Sequence, residues 1–184
     1  MPRDTVYILL FRGVGGPTQL PTAPLRAALT KAGFGNVATY INSGNAIVRS
    51  RLGRDKVIDT VADICRKKFG FAKRIFAPTL AEWSELIENN PFPKAAIEIP
   101  KYVHAAVLDD VPAAGAVAAI QAAATPREGF MVVDRVAYLH TPDGFGPSEM
   151  RRQFDTKIRV ANTARNWNTV LKLHALATAA AGSS

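Results

Sequence analysis

Apolar and polar positions along this chain change their period several times, and each change marks an element. Residues 4–11, DTVYILLF, form a short apolar run that ends at Arg12 and the turn-rich GVGGPTQLP, the pattern of a buried strand. Leu25, Ala28, Leu29 and Ala32 then share one helical face. They predict a helix opening at Thr22 or Ala23, with Pro24 near its first turn and Gly33 as its C-cap. NVATYI (36–41) and NAIVRS (45–50) alternate apolar and polar, and the short link NSG makes them a hairpin with Gly44 at the turn. A second helix is expected over 54–69, where Val57, Ile58, Val61, Ile64, Cys65 and Phe69 keep the 3.6-residue period until Gly70 stops it. AKRIFAP (72–78) reads as a further strand closed by Pro78.

That order, β-α-β-β-α-β, is the ferredoxin-like split unit. Thr79 caps a third helix, LAEWSELIENN, which Pro91 and Pro93 break, and PFPKAAIEIPK is a proline-punctuated connector. The order begins again at Tyr102. YVHAAVLDD is a strand, VPAAGAVAAIQAAAT a helix, and FMVVD with RVAYLHT two tightly joined strands. GPSEMRRQFDTKI is a helix with Ser148 near its start, and a last helix runs through WNTVLKLHALATAA. The expected fold class is therefore α+β, with two ferredoxin-like (βαββαβ-type) halves, the second with a helix in place of its last strand. The expected divisions are 1–78, a connector over 79–100, and 101–184.

Composition narrows the class. The chain has 184 residues with 48% hydrophobic and 21% charged positions, the balance of a globular protein. The longest apolar run, Ala113 to Ala124, is too short to span a bilayer, and the N-terminal stretch lacks a leader pattern. No membrane and a cytoplasmic location are expected. A single cysteine, Cys65, allows no intrachain disulfide. Its helical spacing reads as a buried thiol, and a thiolate activated by Arg66, Lys67 and Lys68 is the alternative. His104, His140 and His174 are too scattered to set a metal-ligand spacing, so no metal and no cofactor are expected.

The net charge is +8 and unevenly spread. Residues 49–76 hold nine basic and three acidic side chains, and 151–174 hold six and one, whereas 82–110 hold two and six. Such basic stretches attract phosphate ligands or nucleic acid; solvated helix faces are the plainer explanation.

Four polar clusters fall in predicted loops. RGVGG places Arg12 and Gly13 beside Gly15 and Gly16, where backbone N–H groups could approach an anion, although it is neither a Walker loop nor GxGxxG. The hairpin turn offers Ser43, Gly44 and Asn45. TPDGFGPSE (141–149) is a turn followed by a helix start. In TARNWNT (163–169), Thr163 can cap a helix buried through Ala164, Trp167, Val170, Leu171 and Leu173. That leaves Arg165, Asn166 and Asn168 without a structural reason. An Arg in a first helical turn opposes the helix dipole, which points to an anion nearby.

Taken in order, YILLFRG with a following GG, PLRAALTKAGFGNVATYINSGNAIV, ENNPFP, PKYVH, TPDGFGPS and TARNWNTVLKL resemble the domain-of-unknown-function 1697 family over nearly the whole chain. The resemblance implies an α+β fold with ferredoxin-like halves, a bacterial protein and no established activity. Members usually read RG-x-N-V-GG followed by a lysine-bearing segment. Here Arg12 and Gly13 match, but the loop is two residues shorter, lacks the Asn, and continues as PTQLP.

Two functions fit these residues. The first is binding of a phosphate-bearing ligand, a nucleotide or a nucleic acid, through Arg12, Gly13, Gly15, Gly16, Ser43, Gly44, Asn45, Arg165, Asn166 and Asn168. No RNP-type aromatic segment is present, which argues against sequence-specific RNA reading. The second is a small enzyme using the same polar cleft, with Ser43 a conceivable nucleophile and no base assignable to it.

Overall fold

The computed structural model describes residues 4–14, 19–42, 44–70 and 72–182. The chain forms two units, Met1–Ser84 with Lys172–Ser184, and Glu85–Leu171.

Unit 1 contains β1 (Thr5–Phe11), α1 (Thr22–Lys31), β2 (Gly35–Thr39), β3 (Asn45–Ser50), α2 (Arg54–Ile64) and β4 (Ile75–Phe76). Its sheet is antiparallel throughout, in the order β2-β3-β1-β4. Tyr7, Leu9 and Phe11 of β1 pack with Leu25 and Leu29 of α1 and Val57 and Val61 of α2. Ile8 and Leu10, on the opposite face of the same strand, are fully buried too. This explains why β1 reads as an unbroken apolar run rather than an alternating one.

Two elements of unit 1 depart from expectation. The expected helix over 54–69 is α-helical only to Ile64, and Cys65–Phe69 widen into a π-helical turn that Gly70 ends at φ +70. Cys65 is buried there, and burial raises its thiol to about 11, so it is no thiolate at neutral pH. The expected strand 72–78 shrinks to Ile75–Phe76, although Ile8 N still donates to Pro78 O (2.8 Å).

Unit 2 repeats the plan with β5 (Val103–Leu108), α5 (Ala114–Ala122), β6 (Gly129–Val133), β7 (Val136–His140), α6 (Glu149–Lys157) and β8 (Asn162–Asn166). Its antiparallel order, β6-β7-β5-β8, matches that of unit 1. Ala106, Leu108, Ala137 and Leu139 pack with Ile120 of α5 and Met150 and Phe154 of α6. Ser148 caps α6, its hydroxyl oxygen accepting from Arg151 N (3.1 Å).

The strand β8 corrects the expectation that a helix replaces the last strand of this half. NTARN pairs with His104–Leu108 of β5, so both halves are complete βαββαβ units. The helix α7 (Trp167–Gly182) follows β8 rather than standing in for it. Thr163 is therefore mid-strand and caps nothing. The cap is Asn166, whose Oδ1 accepts from Thr169 N (3.0 Å).

The sequence between the two sheets carries α3 (Leu80–Glu88), α4 (Pro93–Glu98) and a 3-10 turn, Pro100–Tyr102. Thr79 opens α3 as expected, in a capping box. Its N–H donates to Glu82 Oε2 (2.7 Å), and its hydroxyl oxygen accepts from Glu82 N (3.3 Å).

Candidate functional site

The chain leaves β1 at a corner that three segments of unit 1 build together. Phe11 N donates to Gly44 O (2.9 Å) and Arg12 N donates to Arg74 O (3.0 Å). These bonds seat the Arg12–Gly13 turn between the β2–β3 hairpin and the entry to β4. Gly44 has no substitute here. Its φ is +79, and a Cβ would lie 2.8 Å from the Phe11 Cβ and 3.1 Å from the Val14 Cβ. Asn45 is buried and structural: its Nδ2 donates to Tyr40 O (3.2 Å) while Tyr40 N donates to Asn45 O (3.1 Å), closing the hairpin.

The side chains at this corner are cationic. Gly13 adopts φ +67, and a Cβ on it would stand 3.9 Å from Lys73 Nζ. Arg12 is exposed, Lys73 is half-buried, and Arg74 lies over the Phe76 ring (5.9 Å). Segments 12–22, 36–48 and 72–78 contain no Asp or Glu. Among the described residues, neither Arg12 nor Lys73 has an ion-pair partner. Gly15, Gly16 and Ser43, which the sequence assigns to the same loops, lie outside the described residues. Lys73 is the residue that sequence reading misses. Its signal was its place just before the last strand of a split unit, which must run beside β1.

Unit 2 has the matching corner. Leu108 N donates to Arg135 O (2.8 Å) and Asp109 N to Ala161 O (2.9 Å). The residues mounted on it are Asp109, Asp110 and Arg135, and Arg135 Nη2 lies 3.7 Å from Asp110 Oδ1.

The TARNWNT residues also belong to unit 2, and strand alternation separates them. Arg165 shares a face of β8 with Thr163, while Asn166 lies on the other face with Ala164. The Arg165 guanidinium donates through Nη1 to Thr163 Oγ1 and to Ala164 O, both at 2.8 Å. Burial lowers its pKa to about 10, so it stays charged at neutral pH. Asn166 is engaged as the α7 cap. Asn168 is exposed in the first turn of α7.

The strand histidines do not form a pair. His140 stands opposite Val103 and His104 opposite Leu139, which puts their side chains on opposite faces of the sheet. His104 stacks on Phe145 at 3.9 Å, and burial lowers its pKa to about 4. His140 tilts against Phe92, and burial, then the charge of Arg127, hold it below the usual imidazole value. In unit 1, His174 Nε2 lies 3.0 Å from Ser84 Oγ, but that hydroxyl donates to Leu80 O (3.0 Å) and is no activated nucleophile. Among the described residues no three of His, Cys, Asp and Glu gather as metal ligands, and no helix is long and apolar enough to cross a membrane.

The family profile described as Protein of unknown function (DUF1697) matches residues 5–138. Among solved structures, the conserved bacterial protein SP0830 from Streptococcus pneumoniae is similar, at 19% sequence identity and a TM-score of 0.72. The alignment covers 95% of this chain and 99% of that one. At that identity the likeness shows the fold alone. No curated protein matches the chain.

Proposed function

Because the chain belongs to the DUF1697 family of proteins of unknown function, we propose from its own geometry that it binds a phosphate-bearing ligand, a nucleotide or a nucleic-acid segment, at the cationic corner of unit 1. The observation that carries this reading is that Lys73 Nζ reaches the positive-φ Gly13, the residue next to Arg12, with no carboxylate in any of the three segments that form the corner. An anion bound at this corner would be attracted by both cations. Arg12 supplies a planar fork suited to phosphate oxygens, Lys73 a point charge, and the Gly13 backbone a surface without a side chain. Gly15, Gly16 and Ser43 are further candidate contacts from the sequence, and Asn45 closes the hairpin that carries Gly44. Arg165, Asn166 and Asn168 form a separate set in unit 2. Arg165 and Asn168 are its candidate ligand contacts, whereas Asn166 acts there through its cap. A small enzyme, the second candidate, would have to draw its acid–base group from Lys73 or Tyr40, since the described residues of this corner include no His, Asp or Glu.

The test is fluorescence anisotropy with a labelled mononucleotide and a labelled single-stranded oligonucleotide at low salt. The double variant Arg12→Ala/Lys73→Ala should bind at least about tenfold more weakly, the effect of one lost charge-assisted hydrogen bond. Affinity should also fall steeply with salt for the oligonucleotide. Wild-type affinity in the double variant would refute the assignment.

A further inference from the structure

The opposite end of β1 holds a second feature of unit 1, an open cleft of about 580 Å³ between the α1–β2 turn and the segment after β3. Asp4 precedes β1 and Arg12 follows it, so the strand separates cleft and corner by about 23 Å at roughly 3.3 Å per residue. The volume falls in the range of small-molecule sites. One wall is the turn Ala32–Asn36, where Gly33 (φ +92) and Asn36 (φ +46) both take left-handed backbone. Asn36 Nδ2 donates to Ala180 O at 2.7 Å, which ties this wall to α7. The other wall is Arg49–Leu52, braced by Tyr7 OH donating to Leu52 O (3.0 Å).

Asp4 organises the charge in this cleft. Arg49 Nε lies 3.2 Å from its Oδ2, and Arg51 Nε donates to its Oδ1 at 2.9 Å. Two cations on one carboxylate leave a net charge of +1. Arg51 is anchored through Nε alone, and among the described residues its two terminal nitrogens make no protein hydrogen bond. A guanidinium held by Nε presents those two nitrogens as a planar fork. Beside it, the Ser50 hydroxyl accepts from Leu52 N (3.1 Å), and among the described residues its own hydrogen has no acceptor. Leu52 is 43% exposed, an apolar surface next to the charged one.

We propose that this cleft is a second ligand site, taking a small molecule with an oxyanion group and an apolar body. The fork of Arg51 and the hydroxyl of Ser50 hold the oxyanion, and Leu52 covers the body. A phosphate monoester and a carboxylate offer the same chemistry to a guanidinium, so the test carries both. Amide chemical shifts of the full chain are followed by NMR during titration with phenyl phosphate, benzoate or inorganic phosphate. Gly33, Gly35 and Leu52 should move with at least one of the two aromatic probes, and the probe that moves them assigns the ligand class. Arg51→Ala should weaken that binding by about tenfold or more, as loss of a charge-assisted hydrogen bond does. Arg51→Lys keeps the charge but not the fork and should also weaken it. Arg51 is exposed, so both variants should melt like the wild type. Arg12→Ala/Lys73→Ala should leave these shifts unchanged, which keeps the test independent of the corner. No movement of these amides with any probe, or wild-type affinity in Arg51→Ala or Arg51→Lys, would overturn the proposal.

Discussion

In unit 1 the residues that close the first strand, Phe11 and Arg12, donate their amides to Gly44 O and Arg74 O. In unit 2, Leu108 and Asp109 donate theirs to Arg135 O and Ala161 O. The four distances fall between 2.8 and 3.0 Å, so one backbone frame occurs twice. What is mounted on it differs. Unit 1 carries Arg12 and Lys73 without a carboxylate, whereas in unit 2 Asp110 faces Arg135 across the same frame. A repeated topology supplies scaffolding alone, and chemistry is set by the few side chains at a loop end. The unit 2 corner pairs its one cation and carries a second carboxylate, whereas the unit 1 corner carries cations alone, which makes unit 1 the half to probe with anions.

The comparison also separates the two motifs that stand out in the sequence. Arg12 and Gly13 of RGVGG belong to the unbalanced corner, while TARNWNT is largely occupied in joining β8 to α7. If that joint is structural, Trp167→Ala should give the largest effect, a loss of about 3–5 kcal/mol from the cavity left by a buried indole. Chemical denaturation would measure it, and a loss under about 1 kcal/mol would break the structural reading of the motif.

Next in size is a pH effect confined to unit 2. The folded pKa of His104, about 4, lies below the ordinary 6.5, so the folded state disfavours the protonated ring. Its contribution is complete above pH 6.5 and is lost as pH falls from 6.5 through 4, on the order of 3 kcal/mol. Thermal melts across that window should show the wild type losing more stability than His104→Phe. Parallel curves would remove His104 from the account.

Smaller again is the cap. Asn166→Ala should cost about 1 kcal/mol, and Asn168→Ala, at an exposed first-turn position, less than about 0.5 kcal/mol. Equal costs would blur the distinction between the two asparagines.

How much of this was legible depends on the range of the interactions involved. The order of elements in both halves follows from local periodicity, so β1, the β2–β3 hairpin and the helices are readable from residues such as Leu25, Leu29, Val57 and Val61. The strand β8 was not. Asn162, Thr163, Arg165 and Asn166 place polar groups on both faces, and only pairing with β5, more than fifty residues earlier, makes them a strand. The same blindness moved the helix start. Thr163 and Asn166 are both good cap residues, and local rules do not choose between them. At the corner, Gly13 and Gly44 announce themselves as turn residues. Lys73 joins them only because Arg12 N reaches Arg74 O, a contact across some sixty residues. The Asp4–Arg49–Arg51 trio depends on β1–β3 register in the same way.

In the proposed function, one corner of a twice-used frame binds phosphate and the other does not. The most direct measurement follows backbone amides at both corners, Gly13 and Gly44 against Asp109 and Asp110, while a mononucleotide is titrated into the full chain at low salt. The account predicts saturable shifts at Gly13 and Gly44 that disappear in Arg12→Ala/Lys73→Ala, with Asp109 and Asp110 unmoved. Shifts of equal size at both corners, or none at Gly13 and Gly44, would contradict it.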